Sequence, residues 1–186
     1  MSNVVIAGQH VLLPDLTEEL TTEDGALCLP ADESERRSFL DEHGAGVKVA
    51  VTSSFAGFDA DLMDALPDLE LIANFGVGYD STDVEAASER GITVSNTPDV
   101  LNDGVADLGV GLIIDVLRGI SASDRFARAG KWKNGAFPLQ REVTGRRVGI
   151  LGLGRIGQDV ERWGPDRLAG PVFRRKLWTA DDRSEE

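Results

Sequence analysis

Short apolar runs alternate with amphipathic stretches along the first half of the chain, and this alternation constrains its fold more than any other feature. Each run is three to five residues long and rich in valine, isoleucine and leucine, which is typical of a buried strand. Strands that alternate with helices predict an α/β protein with a parallel sheet covered on both faces. The five predicted strands are residues 4–7, 26–29, 47–51, 69–73 and 92–94.

The stretches between these runs carry helix start and stop signals. An acidic first turn opens the stretch 32–43, and Gly44 follows it as a stop signal. Pro67 lies directly beyond the stretch 59–66, and Gly91 follows the stretch 81–90. Together with residues 12–20, these segments predict four helices that connect the five strands.

The segment 100–118 has a different pattern, because apolar residues lie almost all round it. Asp103, Asp107 and Asp115 form the polar stripe at helical spacing. A helix of this kind is buried inside a domain or against a partner, and three aspartates argue against a membrane span. The turn Asn96-Thr97-Pro98 lies directly before it and predicts the boundary between two units. A further short helix is predicted over 121–130.

Composition narrows the classes of function. The chain has 186 residues, of which 41% are hydrophobic and 27% charged, so a folded core is expected. A formal net charge of −13 disfavours nucleic acid and anionic membranes as partners. The single cysteine, Cys28, excludes an internal disulfide and is predicted to be a buried structural thiol. We expect a cytoplasmic chain with no metal site and no targeting or membrane segment.

A glycine motif follows a sixth predicted strand, residues 147–151. Gly152, Gly154 and Gly157 have the dinucleotide spacing, in which the glycines permit a tight turn, approach of a pyrophosphate and close helix packing. The free N–H groups at the start of the next helix would face the anion. A purely structural turn is the alternative. The acidic residue expected about 20 positions on is absent, and the basic run 174–176 stands there, where no strand is predicted.

The last 29 residues differ from the rest of the chain. Charged residues make up 13 of these 29 positions, against 38 of the first 157. Gly164-Pro165 is predicted to stop the helix after Gly157 within two turns. Residues 158–186 are therefore predicted to be an atypical charged tail, in which Asp181 and Asp182 are solvated.

Several runs of the sequence resemble the D-isomer-specific 2-hydroxyacid dehydrogenases. Residues 132–139 are similar to the glyoxylate/hydroxypyruvate reductase branch of that family. The resemblance covers residues 4–158 and implies three parts: a flavodoxin-like substrate domain over 1–97, the beginning of an NAD(P)-binding Rossmann domain over 98–157, and the tail. The runs that carry it are NFGVGYD at 74–80, VSNTPDVL at 94–101, VAD at 105–107 and GILGLGRIG at 149–157.

The resemblance also implies the site residues. The main-chain N–H groups of the loop Gly76-Val77-Gly78 would bind a substrate carboxylate, for which glycines and main-chain donors are suited. Without the resemblance, a simple turn after the fourth strand would be the preferred interpretation. Val105 would face the nicotinamide of NAD or NADP. The pyrophosphate would lie at Gly152, Gly154, Arg155, Ile156 and Gly157.

Catalysis in the family uses an arginine, a glutamate and a histidine that lie downstream of the glycine motif. The histidines of this chain, His10 and His43, are in no matching motif, so no catalytic residue is assigned. His43 is interpreted as a contact at a helix C-terminus. We expect a truncated oxidoreductase of 2-oxo and D-2-hydroxy acids with little turnover of its own. The alternatives are a non-catalytic small-acid-binding module and a dimerisation module, with residues 100–137 as the homodimer interface.

Overall fold

The computed structural model describes residues 2–163 and the backbone of residues 173–175. The chain forms two compact units, Met1–Val100 and Leu101–Glu186. The boundary lies three residues beyond the position expected from the turn at residues 96–98.

The first unit contains one parallel sheet of five strands in the order β2-β1-β3-β4-β5. This order is that of flavodoxin-like sheets, and it confirms the predicted α/β class. The strands match the five predicted apolar runs, although β3 and β4 end two residues later than predicted. Their bounds are β1 Val4–Ile6, β2 Leu27–Cys28, β3 Val49–Ser53, β4 Leu71–Phe75 and β5 Thr93–Ser95.

Four helices connect these strands, and three of them begin at an aspartate cap. The side chains of Asp32, Asp59 and Asp83 accept hydrogen bonds from main-chain N–H groups in the first turn of the following helix. The fourth helix begins later than predicted, because Thr82 instead forms a bridge with Phe58. The helices are α1 Pro14–Thr22, α2 Glu33–His43, α3 Ala60–Asp64 and α4 Val84–Glu89.

The core of this unit fills both faces of the sheet. Val5, Ala50 and Ile72 lie side by side in β1, β3 and β4 and are 0–1% exposed. Phe58 and other apolar side chains pack on the same face, while Ile6 belongs to a smaller cluster with Leu12 and Ala26. Apolar burial on both faces explains why the strands are near-continuous apolar runs.

Two side-chain predictions for this unit have different outcomes. His43 lies in the last turn of α2 as predicted, and its ring packs on Phe39 at 4.7 Å between centroids. Cys28 is only half-buried, so the prediction of a fully buried thiol is wrong. The reason is that β2 is the edge strand of the sheet. Partial burial still raises the pKa of the Cys28 thiol.

The described part of the second unit contains a pair of helices and, after it, a glycine turn between a strand and a helix. A 3-10 turn over Lys131–Asn134 follows the pair. The elements are α5 Asn102–Arg118, α6 Ile120–Arg128, β6 Gly149–Leu151, α7 Arg155–Arg162 and β7 Phe173–Arg175.

One expectation for the second unit is corrected. Strand β7 pairs in parallel with β6, so a strand carries Arg174 and Arg175 where none was predicted. This strand was not predicted because its segment is rich in charged residues, whereas the other strands were predicted from runs of apolar residues. Helix α7 ends at Arg162, shortly before the predicted stop at Gly164-Pro165, and it forms the beginning of the segment predicted to be a charged tail. The expectation for Asp181 and Asp182 lies outside the described residues.

Among the described residues, the apolar helix α5 is mostly uncovered. Ala106 is its one buried residue, whereas Leu108, Leu112 and Val116 are 63%, 56% and 80% exposed. The interpretation that this helix is buried inside a domain is therefore wrong for this face. Burial against a partner stays a prediction. No helix among the described residues is long and apolar enough to cross a membrane.

Candidate functional site

The loop Gly76–Gly78 follows β4 directly, at the carboxyl edge of the first sheet. Ligands of open α/β sheets bind outside this edge. Gly76 has φ +155°, and a Cβ atom there would collide with the hydroxyl of Ser54. Glycine is therefore required at position 76, for both its backbone conformation and the close approach of Ser54.

Two polar side chains bind the carbonyls at the ends of this loop. The Asn74 Nδ2 group donates to the Gly76 carbonyl at 3.2 Å and to the Gly78 carbonyl at 2.9 Å. The Ser54 hydroxyl donates to the same Gly78 carbonyl at 2.5 Å. The Gly76 and Gly78 carbonyls are thus directed toward donors of the protein.

The two residues directly after β5 also bind carbonyls of the loop. Asn96 Nδ2 donates to the Val77 carbonyl at 2.8 Å. The Thr97 N–H donates to the Gly76 carbonyl at 3.0 Å. All three carbonyls of the loop therefore accept hydrogen bonds from within the unit.

The N–H groups of the loop differ from its carbonyls in their hydrogen bonding. Among the described residues, the N–H groups of Val77 and Gly78 have no hydrogen-bond acceptor. A peptide loop with its carbonyls bound and its N–H groups free presents positive partial charge on one side. Such a loop can bind a carboxylate through two main-chain donors.

The glycine turn after β6 has a conformation that depends on its glycines. Gly152 has φ +91°, and a Cβ at Gly157 would collide with the Gly152 carbonyl. The helix α7 therefore approaches the turn more closely than any other residue at position 157 would allow. A Cβ at Gly154 would meet no atom within 4 Å, so the space beside that residue is open.

This turn places the start of α7 beside the open space. Gly154 is the N-cap of the helix, and Arg155 and Ile156 lie in its first turn with exposed side chains. The free N–H groups of a helix start favour an anion. The close approach at Gly157 and the open space at Gly154 fit a pyrophosphate. Val105 lies near the start of α5 and is 43% exposed.

The predicted site residues thus fall into two groups, one in each unit. Neither histidine lies in the Gly76–Gly78 loop: His10 is in a 3-10 turn after β1, and His43 ends α2. Among the described residues, no group of three or more His, Cys, Asp or Glu residues could hold a metal ion. Ser54, Asn74 and Asn96 are site residues that were not predicted from the sequence, although the last two lie within the runs that carry the resemblance.

The fold and the two glycine loops define an α/β protein with main-chain donors arranged for anions. The family model of the catalytic domain of D-isomer specific 2-hydroxyacid dehydrogenases matches residues 12–178, and the chain belongs to this family. The predicted resemblance is confirmed. Enzymes of the family are NAD(P)-dependent, act on 2-oxo and 2-hydroxy acids and are usually dimers.

Several curated relatives are reductases. A hydroxyphenylpyruvate reductase of Plectranthus scutellarioides is 50% identical over 122 residues, which are 66% of this chain and 39% of the relative. Glyoxylate/hydroxypyruvate reductase A of Arabidopsis thaliana is 44% identical over 128 residues, which are 69% of this chain and 41% of the relative. The chain thus spans about two fifths of the length of these curated relatives.

Solved structures show the same relationship. A 2-hydroxyacid dehydrogenase from Ketogulonicigenium vulgare has a TM-score of 0.78 and 40% identity, with 88% of this chain and 51% of that chain covered. The NADPH-dependent glyoxylate/hydroxypyruvate reductase of Sinorhizobium meliloti, solved with NADP and malonate, has a TM-score of 0.71 and 38% identity. The match covers 86% of this chain and 49% of that one.

Proposed function

We propose that this chain binds the carboxylate of a small 2-oxo or 2-hydroxy acid and an NAD(P) cofactor, as part of a reductase of the glyoxylate/hydroxypyruvate type. The observation that carries the proposal is the loop Gly76–Gly78, in which three carbonyls are bound and the N–H groups of Val77 and Gly78 have no acceptor among the described residues. Substrates of this class share a carboxylate, which is the group that two main-chain donors bind best.

The cofactor part of the proposal rests on the glycine turn. Gly152, Gly154 and Gly157 would hold the pyrophosphate, and Arg155 and Ile156 in the first turn of α7 would lie beside it. Val105 would contact the nicotinamide ring. When bound, the cofactor supplies the hydride that is exchanged with the substrate carbon.

Strand β7 supports NADP as the preferred cofactor. Its register places the backbone of Arg175 opposite Leu151, the last residue of β6 before the glycine turn. In Rossmann sheets the strand after the glycine helix carries the residue that recognises the ribose, and an arginine near this position accommodates a 2′-phosphate. We therefore expect NADPH to bind this chain more tightly than NADH, with isothermal titration calorimetry as the measurement.

We assign no catalytic turnover to the described residues. In the proposed reaction the Val77 and Gly78 N–H groups orient the substrate, but polarising its carbonyl and moving a proton require further side chains. We assign this role to neither His10 nor His43, because neither lies in a motif that resembles the family, and His43 packs on Phe39 in the last turn of α2.

The proposal is tested by measuring binding and turnover in the same purified chain. We expect malonate or glyoxylate to shift the amide resonances of Val77 and Gly78 in NMR spectra. We also expect glyoxylate and hydroxypyruvate to cause no NADPH oxidation at a family-like rate. Rapid oxidation by a preparation free of host reductases would contradict the absence of turnover. Unchanged resonances at high carboxylate concentration would contradict the binding site.

A second function, dimerisation, is favoured by the uncovered face of α5. Leu108, Leu112 and Val116 project from it, and Trp132 in the following 3-10 turn is 64% exposed. Contiguous apolar surface of this kind marks an interaction site. We propose that residues 100–137 pair with a second copy of the chain, in keeping with the dimers usual in the family.

A further inference from the structure

We infer that Ser54 and Asn74 are positioning residues, which orient the substrate-binding N–H groups by holding the carbonyls of the Gly76–Gly78 loop. The inference rests on the proposed function, since it concerns how the same carboxylate site is kept in its binding conformation. Neither side chain needs to touch the substrate. Asn74 acts directly on the Val77 N–H, which shares a peptide group with the Gly76 carbonyl. Ser54 holds the Gly78 carbonyl and so fixes the end of the loop that follows the Gly78 N–H.

The side chain of Asn74 has the chemistry that this role requires. An amide NH₂ group has two donor hydrogens and no charge, and Asn74 uses it for the carbonyls of Gly76 and Gly78 at 3.2 and 2.9 Å. One side chain therefore fixes both ends of the loop. Aspartate has the same shape, but its ionised form can only accept hydrogen bonds, so it would repel both carbonyls.

The cost of keeping an amide at position 74 also indicates a role beyond packing. Asn74 is 2% exposed, and its Oδ1 atom is buried with no hydrogen-bond partner among the described residues. A buried acceptor without a donor destabilises a fold. A residue chosen only for the stability of β4 would be apolar, like Ile72 two positions earlier.

Ser54 binds the loop from the neighbouring strand. It follows the last residue of β3 and donates its hydroxyl proton to the Gly78 carbonyl at 2.5 Å. Its own carbonyl accepts a hydrogen bond from the Ser81 hydroxyl at 2.8 Å. The Gly78 carbonyl thus accepts from two side chains, Ser54 and Asn74, which together fix the end of the loop.

The inference is tested by carboxylate affinity in matched variants of the full chain. The probe is malonate, its neutral counterpart malonamide is the ligand control, and the dissociation constant is taken from the Val77 and Gly78 amide shifts. We expect Ser54→Ala to weaken malonate binding about fivefold and Asn74→Asp about tenfold or more, the effects of losing one and two hydrogen bonds. Ser54→Thr keeps the hydroxyl and is expected to restore wild-type affinity.

Thr82→Val is the stability control. The Thr82 hydroxyl is also buried without a partner among the described residues, and Thr82 is 4% exposed, but it makes no hydrogen bond to the loop. We expect this variant to bind malonate as the wild type does. Equal affinity of wild type, Ser54→Ala and Asn74→Asp would overturn the inference, as would an equal loss in Thr82→Val. A wild-type chain that does not bind malonate would instead contradict the proposed function, and the inference would fall with it.

If a variant does not fold, a measurement on the wild type tests whether Asn74 holds the loop. Scalar couplings across hydrogen bonds report directly on the contacts from Asn74 Nδ2 to the carbonyl carbons of Gly76 and Gly78. We expect these couplings to persist when malonate is added, while the Val77 and Gly78 amide protons shift downfield. Loss of the couplings on binding would show that Asn74 does not hold the loop in its binding conformation.

Discussion

The indole Nε1 of Trp163 donates a hydrogen bond to Oδ1 of Asp107 at 2.9 Å, across 56 positions of sequence. Asp107 belongs to the polar stripe of α5, and Trp163 is the residue directly after α7. This hydrogen bond connects the C-terminal end of α7 to α5. Gly109 lies close to Val160 on α7, since a Cβ at position 109 would be in van der Waals contact with Val160 Cγ2 at 3.6 Å.

Replacing Trp163 with phenylalanine should loosen α7. The ring remains aromatic, but the donor to Asp107 is lost, and a hydrogen bond of this kind contributes about 1 kcal/mol. We expect faster amide exchange in α7 by hydrogen–deuterium exchange, with no change in β1–β5. Trp132→Phe is the matched control, since that side chain is 64% exposed. Equal exchange rates in wild type and Trp163→Phe would show that the hydrogen bond contributes nothing to holding α7.

The extent of the sheet could be predicted from the sequence better than the ends of its strands. The apolar runs identify all five strands, because the core covers both faces of the sheet and each strand contributes apolar residues to it. The runs end early at β3 and β4, since the last buried residues there are polar. Thr52 is buried because its hydroxyl donates to the Gly57 carbonyl at 2.7 Å, and Asn74 is buried through its bonds to the loop. A criterion of hydrophobicity does not detect residues that are buried by hydrogen bonds.

Only those parts of the candidate site that depend on residues adjacent in sequence could be predicted. The two glycine motifs are read from neighbouring residues, since each glycine is required by the backbone of its own turn. Ser54 and Asn96 act on the loop from 24 and 19 positions away, respectively. No spacing rule predicts these contacts, because they follow from the parallel pairing of β3, β4 and β5.

Alanine substitutions in the glycine turn should separate folding from cofactor binding. A Cβ at Gly157 would collide with the Gly152 carbonyl, whereas a Cβ at Gly154 meets no atom within 4 Å. We expect Gly157→Ala to destabilise the second unit by about 1–3 kcal/mol and to abolish NADPH binding. Gly154→Ala should leave the unfolding transition unchanged and weaken NADPH binding alone. Urea unfolding and calorimetry measure the two effects. Full NADPH affinity in Gly154→Ala would contradict a pyrophosphate at this position.

The acid stability of the second unit should depend on Asp115. Its carboxylate accepts bonds from the hydroxyl and N–H of Ser121, each at 2.6 Å. The hydroxyl first, and then the N–H, hold the pKa of Asp115 below its usual value. A carboxyl whose pKa is lowered by folding adds stability above its unfolded pKa, and this stability is lost as pH falls through the folded value. We expect Asp115→Asn to be less stable than wild type at pH 7, with a smaller difference below pH 3 in urea unfolding. A difference that is independent of pH would exclude this role.

The first unit should be the more protected part of the chain. It contains a five-stranded sheet with a core on both faces, whereas α5 has a single buried residue, Ala106. Amide exchange slows where backbone hydrogen bonds lie under buried apolar surface. We expect residues 47–73 to exchange more slowly than residues 146–160. The reverse order would contradict the stability that we assign to the flavodoxin-like sheet.

Charge on the exposed face of α5 should separate a dimer into monomers. Leu112 and Val116 lie one turn apart and are 56% and 80% exposed, and burying such side chains against a second copy is worth about 25 cal/mol per Å² of apolar area. We expect the double variant Leu112→Asp, Val116→Asp to elute as a monomer where the wild type is a dimer, in size-exclusion chromatography with light scattering. Phe55→Asp is the control, because Phe55 is 86% exposed in the first unit. A wild-type chain that is monomeric at high concentration would show that this face needs no partner.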